Sequence, residues 1–373
     1  MTNLTRTVIL KYRIYQIKSF IIVILKWFVE YVLCIFLKIN IKFTVQSKHR
    51  EMRTVLVPLM HGLGDAIIST IILRELKNIF PKKDILCLTT NRTHDLLTDD
   101  FPEIDFITIS SVKDLRSLRG QSDLMILPSR NIDHYFIALI IKPGQIVGYN
   151  YNLKILRKES HIQRAIRLLE SLGHENWQIP YLNRSVKNET LINKFFHDDM
   201  RSTSMIKIVM IVGGRWRSKT YKFKYYHELI TRLKTMTNVR IILTGKDSSD
   251  LIHNYHDLGM IINLIDKTDI QQLRGIIGIS DLIIGPDGGV LNMAMAMRKR
   301  IVGIFSSVDP GTIVPESYSD MIIFEKQCPF QPCYNEEHEP FCPFDDPPCI
   351  DLEPRMVFEK IKKQLELLSD EKS

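Results

Sequence analysis

From residue 54 onward the chain alternates short, strongly apolar runs with longer amphipathic runs, and it does so in two separate sets. The short runs have the length and composition of buried parallel strands, and the longer runs have the spacing of surface helices. Such alternation produces a parallel sheet that is covered by helices on both faces. The pattern therefore predicts an α/β protein with two Rossmann-like domains facing each other across a cleft.

A polar, proline-containing stretch that begins at residue 174 separates the two sets and is interpreted as a linker. The predicted strands are 54–59, 84–90, 105–109, 123–128 and 145–149 before it, and 206–212, 239–244, 260–264, 281–285 and 301–305 after it. Between the later strands, helices are predicted at 225–236, 249–257, 269–278 and 288–297. The expected domains are an N-terminal segment (1–50), a first Rossmann-like domain (51–175), a second one (190–325), and a segment rich in cysteine and proline that ends in a helix (326–373).

The basic charge of the chain is concentrated in its first 50 residues. They hold nine Lys or Arg residues and one acid, Glu30, whereas the formal net charge of the whole chain is +8. The remaining residues are therefore close to neutral, which argues against nucleic acid as a partner. Because the basic residues flank an apolar run at 20–39, the segment is expected to form a basic, apolar helix.

This apolar run is nearly long enough to span a bilayer, but Lys26 and Glu30 lie inside it. A helix in the membrane interface, with its basic flanks on anionic headgroups, is the preferred interpretation. A single membrane span and docking onto the protein's own core are the alternatives. No small-residue cleavage site follows the run, so we expect no cleaved signal peptide and a chain that stays on the side of the membrane where it is made.

The stretch VLVPLMHGLGDAIISTIILREL, residues 55–76, places a carboxylate between an apolar run and an amphipathic run. It has the pattern of a strand, a loop and a helix, and such loops lie at the carboxyl edge of an open α/β sheet, where ligands bind. Asp65 is then either a helix N-cap or a residue of an active-site lip. Ile67 occupies the third glycine position of a dinucleotide-binding fingerprint, which disfavours hydride transfer with a nicotinamide cofactor.

Two glycine-containing loops mark the second domain. The first, GGRWRSKTYKF, follows a predicted strand and carries four cations, Arg215, Arg217, Lys219 and Lys222, and a fifth, Lys224, comes directly after it. Such cations suit a diphosphate, although a solvated basic loop would have the same composition. The second, GPDGGVLNMAMAM, leads from a strand into a helix whose first backbone N–H groups favour an anion, or it is a tight turn capped by Asp287.

Together the two loops predict a site for a nucleotide diphosphate in the second domain, and Asp65 is expected to face it from the first domain. This combination suits glycosyl transfer, in which a base deprotonates an acceptor hydroxyl while the departing diphosphate is neutralised. The residues assigned to donor binding are Gly213, Gly214, Lys219, Asp287, Gly288, Gly289 and Asn292. Those assigned to the acceptor side are Asp65 as the base, with His61, Gly62 and Gly64.

From residue 54 almost to its end, the chain resembles bacterial glycosyltransferase family 9, the heptosyltransferases of lipopolysaccharide core assembly. HGLGDAIISTIILRELKNIFP resembles the family's opening loop and helix, whose aspartate is the catalytic base, and GPDGGVLNMAMAMRKRIVGIFSSVDP resembles its most specific signature. GGRWRSKTYKFKYYHELI resembles the donor-phosphate loop, with Lys219 at the family lysine, while QIVGYN and HIQRAIRLLESLG resemble segments that close the first domain. The resemblance implies a GT-B fold, with 51–175 as the acceptor domain and 190–325 as the donor domain. It also implies an inverting enzyme that requires no metal or other cofactor for catalysis.

The chain departs from the family pattern in two motifs. The signature usually reads Asp-Thr-Gly with a histidine three residues later, and this chain has Gly288 and Asn292 at the threonine and histidine positions. The basic loop usually continues with Trp-Pro, and here Tyr221 and Lys222 occupy those places. We expect these departures to affect which sugar is bound and whether it is turned over, and to leave the fold unchanged.

One proline-rich segment near the C-terminus contains four cysteines, Cys328, Cys333, Cys342 and Cys349. Disulfides are disfavoured on the cytoplasmic side, so the cluster suggests a structural Zn or Fe site, with reduced thiols or a disulfide as the alternatives. The spacing is not that of the CxxC pairs in zinc ribbons. By the resemblance, family members often carry related cysteines here, and some that glycosylate proteins use them for iron.

The preferred function is transfer of a heptose or a related sugar from an ADP-type nucleotide sugar to a lipopolysaccharide core or another lipid-linked acceptor. The expected location is the cytoplasmic face of the inner membrane, and the expected partners are an ADP-heptose-like donor, a lipid A core or other glycolipid, and an anionic membrane surface. The runner-up is a protein heptosyltransferase of the autotransporter type. A third interpretation, motivated by Gly288 and Asn292, is a sugar-nucleotide-binding protein that has lost turnover.

Overall fold

The protein is described by a computed structural model. The described residues are 6–36, 52–60, 62–129, 131–148, 160–175, 180–183, 205–214, 216–236, 238–246, 260–325, 328–334 and 342–372. The chain divides into two compact units, Phe20–Asn183 and a second unit made of Met1–Ser19 with Arg184–Ser373. Each unit is built around its own parallel sheet.

The sheet of the Phe20–Asn183 unit has the strand order β3-β2-β1-β4-β5, and every neighbouring pair is parallel. The strands are β1 (Thr54–Leu59), β2 (Asp84–Thr89), β3 (Asp105–Thr108), β4 (Leu124–Ile126) and β5 (Gln145–Val147). The helices that accompany them are α2 (Leu63–Ile68), α3 (Thr70–Ile79), α4 (Asn91–Leu97), α5 (Val112–Ser117), α6 (Ile132–Ile141) and α7 (His161–Ser171). All five strands predicted in this part of the chain are confirmed.

The chain order of this sheet reverses between β1 and β4. From β1 it proceeds through β2 to β3 on one side and then crosses to β4 on the other side. The loops that follow β1 and β4 therefore diverge and leave a crevice at the carboxyl edge, which is where open α/β sheets bind ligands. The loop after β1 leads directly into α2.

The amphipathic run after β1 forms two helices, where the sequence pattern predicts one. The break lies at Ser69, whose hydroxyl donates a hydrogen bond to the Asp65 carbonyl oxygen at 2.8 Å. The hydroxyl of Thr70 donates in the same way to the Ile67 carbonyl oxygen at 2.6 Å. Side-chain hydroxyls that bond to carbonyls of the preceding turn compete with the helical ladder and bend it, and apolar periodicity does not report this.

The sheet of the second unit has the order β11-β10-β9-β6-β7-β8, again with parallel neighbours throughout. Its strands are β6 (Ile206–Val212), β7 (Val239–Gly245), β8 (Ile261–Asn263), β9 (Leu282–Pro286), β10 (Arg300–Phe305) and β11 (Ile322–Phe324). The accompanying α-helices are α8 (Phe223–Leu233), α9 (Ile270–Ile279), α10 (Gly289–Ala296) and α11 (Pro354–Lys372). The predicted strands are confirmed, the three-residue β11 was not predicted, and the helix predicted at 249–257 lies outside the described residues.

Packing in the second unit depends on apolar helix faces and on small residues in the strands. Val357, Ile361 and Leu365 of α11 are buried in the same apolar cluster as Leu229 of α8. Gly285 in β9 lies so close to β6 that an added Cβ would come within 2.6 Å of the Ile211 Cβ. Only glycine permits this spacing without a shift of the strands.

The N-terminal segment forms one long helix, α1 (Arg6–Phe36). Within the second unit, Tyr12 of this helix stacks on Phe330, with ring centroids 3.8 Å apart. Nine of its described apolar side chains are exposed, namely Ile14, Ile17, Ile21, Ile22, Ile24, Leu25, Phe28, Val29 and Val32. Among the described residues, no helix has the length and apolarity needed to cross a membrane.

Candidate functional site

The two glycine-containing loops meet at the point where the strand order of the second sheet reverses. One loop follows β6 and the other follows β9, and these two strands are neighbours in the sheet. In chain order β6 leads to β7 and β8 on one side, and the chain then crosses to β9 on the other. The carboxyl edge between β6 and β9 is therefore the ligand-binding crevice that this sheet topology provides.

The predicted donor residues Lys219 and Asp287 are paired in this crevice. Lys219 ends a short 3₁₀ turn, Arg217–Lys219, and its Nζ lies 2.5 Å from Asp287 Oδ2. The Asp287 side chain is only 3% exposed and that of Lys219 is 16% exposed, so the ion pair is largely withdrawn from water. Asp287 Oδ2 makes no well-aligned hydrogen bond with the described residues. Its contact with Lys219 is therefore an ion pair, and the hydrogen-bonding capacity of this oxygen is not fully used. An anionic ligand in the crevice would therefore compete with Asp287 for the ammonium group.

The start of α10 supplies backbone N–H groups beside this ion pair. Gly288 is the N-cap, and Gly289 is the first residue of the helix. In the first turn, Asn292 is 8% exposed and its Oδ1 has no hydrogen-bond partner among the described residues. The same is true of the Ser307 hydroxyl just beyond β10. Buried polar atoms without a partner are costly, so this edge of the sheet suits a polar ligand.

The glycine at the threonine position of the family signature leaves space. A Cβ added at Gly288 would meet no atom within 4 Å, and its φ of 165° is extended backbone that any residue adopts. Nothing in the local backbone therefore requires glycine here. The missing hydroxyethyl side chain of threonine enlarges the crevice next to the N-terminus of α10.

The second departure from the family pattern is explained by the C-terminal segment. The Tyr221 side chain is fully buried, and its hydroxyl donates a hydrogen bond to the Leu352 carbonyl oxygen at 3.0 Å. Lys222 pairs with Asp346 at 2.7 Å and with Asp351 at 3.0 Å. These two residues therefore fasten the C-terminal segment to the loop that carries Lys219. Trp and Pro at the same positions would offer neither the ammonium group nor the phenolic hydroxyl.

Asp65 lies at the crevice of the other unit, in the first turn of α2. The N-cap of α2 is Gly62, so the sequence interpretation of Asp65 as the N-cap is wrong. The side chain is half-buried and makes no hydrogen bond or ion pair with any residue that the structure describes. Asp65 is thus a carboxylate at a ligand-binding edge with no structural partner in the described chain.

The remaining predicted site residues are partly described. Gly213 follows β6 with a φ of 76°, a left-handed conformation that favours glycine. A Cβ added at Gly214 would lie 3.0 Å from the Thr220 hydroxyl, which marks a tight turn. Gly64 lies within α2, whereas His61 and Arg215 are outside the described residues.

Two aromatic residues near Lys219 were missed by the sequence analysis. The Lys219 ammonium lies 4.4 Å from the ring centroid of Trp216 and 5.2 Å from that of Tyr334. Trp216 is part of the basic loop and was recognisable as an aromatic residue among cations. Tyr334 lies in the cysteine-rich segment, far away in the sequence, and no pattern connects it to the loop.

The four thiols of the C-terminal segment influence one another. Burial, and then the neighbouring thiols of Cys328 and Cys342, raise the pKa of Cys333 to about 11. The pKa of Cys349 is raised to about 12 by burial and then by the same cluster. These four cysteines are free, and in the described part of the chain no three His, Cys, Asp or Glu side chains are arranged to hold a metal ion. Thiolates are ligands that Zn and Fe prefer, and a metal at these cysteines stays a prediction.

Comparison with known proteins identifies the family. The model of glycosyltransferase family 9 (heptosyltransferase) matches residues 138–340. Lipooligosaccharide heptosyltransferase 2 of Haemophilus ducreyi is 21% identical over 298 residues, which cover 70% of this chain and 85% of that protein. The match to the family model includes both loops of the second crevice.

Solved structures show the same fold at low sequence identity. The E. coli ADP-heptose lipopolysaccharide heptosyltransferase II matches with a TM-score of 0.64 and 17% identity, covering 85% of this chain and all of that chain. The iron-containing dodecameric heptosyltransferase TibC of enterotoxigenic E. coli, in complex with ADP-D-β-D-heptose, matches with a TM-score of 0.57 and 14% identity, covering 90% and 79% of the two chains. The expected GT-B fold of two Rossmann-like domains is confirmed.

Proposed function

Because this chain belongs to glycosyltransferase family 9, the heptosyltransferase family, we propose that it transfers a heptose or a related sugar from an ADP-linked donor, with inversion at the anomeric carbon. The observation that supports this most is the meeting of the Lys219 loop and the Asp287 loop at one crevice, beside the N-terminus of α10. A cation and a helix N-terminus are the groups that bind a diphosphate. The donor of the structurally similar TibC complex, ADP-heptose, carries that group.

The second unit stabilises the leaving group. As the bond between the anomeric carbon and the β-phosphate oxygen breaks, negative charge accumulates on the departing ADP. Lys219 and the backbone N–H groups at the start of α10 neutralise this charge. Asn292 and Ser307, each with a buried oxygen that lacks a partner among the described residues, contribute hydrogen bonds to the donor.

The other unit supplies the base. An acceptor hydroxyl attacks the anomeric carbon and gives its proton to Asp65. This carboxylate is available because it has no partner among the described residues. Direct displacement by a deprotonated hydroxyl inverts the configuration at the anomeric carbon. The reaction then proceeds without a covalent intermediate between the sugar and the enzyme.

The proposed function is tested with purified full-length protein and a panel of labelled nucleotide sugars that includes ADP-heptose, GDP-mannose and UDP-glucose. We expect label in the acceptor only with ADP-linked heptose or a close analogue. If the protein binds ADP but transfers label from none of the donors, the result would favour the alternative of a sugar-nucleotide-binding protein without turnover. Absence of both binding and transfer would contradict the proposal.

The acceptor is proposed to be a lipopolysaccharide core or another lipid-linked glycan, as the name of the similar Haemophilus ducreyi protein suggests. A protein heptosyltransferase is the second candidate, and the cluster of four thiols favours it because the TibC structure is iron-containing. The panel therefore offers the label to intact and de-acylated lipid A core and to an autotransporter passenger domain. Label in the lipid fraction supports the first candidate, and label in the protein fraction supports the second.

Transfer is proposed to need no catalytic metal, because Lys219 and the helix N-terminus provide the positive charge that a cation would otherwise supply. We expect that EDTA added to the assay leaves the initial rate unchanged, and the rate is measured with and without added Mg²⁺.

A variant in which serine replaces all four cysteines of the C-terminal segment tests for a structural metal separately from a catalytic one. If the thiols hold Zn or Fe, metal analysis should find the ion in the purified wild type and not in this variant. A rate that collapses in EDTA and returns with Mg²⁺ would contradict metal-free catalysis.

Helix α1 is proposed to lie on the cytoplasmic face of an anionic membrane, close to a lipid-linked acceptor. Its exposed apolar residues from Ile14 to Val32 include adjacent pairs such as Ile21–Ile22, so they form a broad apolar surface along the helix. Lys11, Arg13 and Lys18 are exposed in the same helix, where they can meet anionic headgroups. An apolar surface with basic residues near one end is typical of helices in the membrane interface.

We expect the full-length protein to float with vesicles that contain phosphatidylglycerol, and less so with pure phosphatidylcholine. Replacing Ile21 and Leu25 by glutamine should reduce binding by about tenfold or more, because each apolar side chain contributes roughly 1.5–3 kcal/mol when buried. Phe136→Ser, at an exposed apolar residue outside α1, serves as the matched control and should float like the wild type. Equal flotation of all three proteins would refute the assignment of α1 to the membrane.

A further inference from the structure

The ammonium group of Lys219 lies between two aromatic rings. Its Nζ is 4.4 Å from the centroid of Trp216 and 5.2 Å from that of Tyr334, and the two rings are 5.1 Å apart at an angle of 41°. Both distances are within the range at which an aromatic face attracts a cation. The ammonium therefore has the Asp287 carboxylate as one partner and two aromatic faces as others.

Tyr334 is held in this place by the backbone. The Cys333 and Tyr334 N–H groups both donate to the Ser307 carbonyl oxygen, at 3.0 and 2.9 Å. The neighbouring Ser306 accepts a hydrogen bond at its carbonyl oxygen from Gln331 Nε2 at 2.8 Å. The cysteine-rich segment is thereby attached to the carboxyl end of β10, beside the crevice that carries Asp287.

The Lys219 loop is held to the same point. The Ser306 hydroxyl donates to the carbonyl oxygen of Ser218, the residue before Lys219. The Cys349 thiol lies 3.9 Å from the same oxygen. Ser306 thus links the loop after β6 to the cysteine-rich segment, so Trp216 and Tyr334 keep a fixed position relative to each other.

We propose that Trp216 and Tyr334 form an aromatic cage that positions Lys219 for the donor diphosphate. The inference rests on the proposed function, because it assigns the cage to the same site. In the absence of donor, Lys219 is bound to Asp287. When a diphosphate draws the ammonium away, the two π faces continue to stabilise it and hold it at the mouth of the crevice. The cysteine-rich segment is on this account part of the donor site through Tyr334.

The cage makes a prediction that a base-stacking role does not make. If the rings act through Lys219, they contribute to binding of the diphosphate and not to binding of the nucleoside. If they stack on the base of the nucleotide, they contribute equally to both. The affinities of ADP and adenosine therefore distinguish the two roles.

The test uses full-length protein with Tyr334→Leu and Trp216→Leu, which keep apolar bulk but remove the π face. Tyr334→Phe and Trp216→Phe, which keep a ring, are the matched controls. We expect each leucine variant to bind ADP about 3- to 30-fold more weakly and adenosine with unchanged affinity, the loss expected of a cation–π contact. In donor titrations the KM should rise by the same factor while kcat stays within twofold, and the phenylalanine variants should recover ADP affinity.

Thermal unfolding of each variant shows whether it is folded, and two variants on different segments keep the test open if one of them fails to fold. ADP affinity that is unchanged in both leucine variants would overturn the cage. An equal loss of ADP and adenosine affinity would also overturn it and would assign the rings to the base. A wild-type protein that binds no ADP would overturn the proposed function itself, and the cage with it.

Discussion

Asp65→Asn is expected to lower kcat for sugar transfer by about 10²- to 10⁴-fold, the usual contribution of a general base. The amide has the shape of the carboxylate but does not accept the proton of the acceptor hydroxyl. Because Asp65 has no partner among the described residues, the variant loses no described contact. Among the described residues, the structural cost is the lost interaction of the charge with the N-terminus of α2, about 0.3–1 kcal/mol. The affinity for ADP should not change.

The chain offers a matched control in Asp114, which is also the third residue of a helix in the same unit. Its carboxylate accepts hydrogen bonds from the N–H groups of Ser110 and Ser111, at 2.8 and 2.7 Å, within a capping box. These hydrogen bonds hold the pKa of Asp114 below its usual value. Asp114→Asn should therefore weaken the capping box and lower the stability of the protein, and it should leave the transfer rate unchanged.

The two variants should thus behave in opposite ways in chemical denaturation and in the transfer assay. Retention of full activity by Asp65→Asn would exclude it as the base. A loss of activity that matches a loss of stability would assign it a structural role.

Lys219→Met is expected to weaken ADP binding by at least tenfold and to destabilise the second unit. Lys219 is the cation that pairs with Asp287 among the described residues, and in the variant it no longer binds the diphosphate. The lost charge-assisted hydrogen bond contributes about 1.5–3 kcal/mol. The Asp287 carboxylate, 3% exposed, is left without its counterion. Removing one partner of a buried ion pair costs up to about 3–5 kcal/mol, and the partial exposure of Lys219 reduces this value.

The double variant Lys219→Met with Asp287→Asn separates the two effects. Asparagine removes the uncompensated charge, so stability in urea should return towards that of the wild type. ADP binding should stay weak, because the cation is still absent. Recovery of ADP binding together with stability would show that Lys219 acts only on the fold, and this outcome would contradict its role at the donor.

The sequence predicted the strands well because both sheets are parallel. Parallel strands are buried on both faces and therefore have continuous apolar runs, as in β6 (IKIVMIV) and β9 (LIIGP). The strand order was not predictable from these runs. The strand order nevertheless decides where the candidate site forms, because the reversal between β6 and β9 brings the two glycine-containing loops to one crevice.

Contacts between residues far apart in the chain could not be predicted from the sequence. Each of the two loops was predicted to bind an anion. Nothing in their composition indicates that Lys219 and Asp287 bind each other. Likewise, Tyr334 reaches Lys219 because backbone hydrogen bonds to Ser307 attach the cysteine-rich segment to β10. Break points such as Ser69 depend on side-chain hydroxyls that apolar periodicity does not register.

The measurement that tests the central claim most directly is transfer of labelled heptose from ADP-heptose to lipid A core acceptors by the wild type, Asp65→Asn and Lys219→Met. The account predicts transfer by the wild type, with ADP released in equal amount. It predicts a kcat reduced at unchanged donor KM for Asp65→Asn, and a raised donor KM for Lys219→Met. No transfer by a folded wild-type protein to any lipid or protein acceptor, or equal transfer by all three proteins, would contradict it.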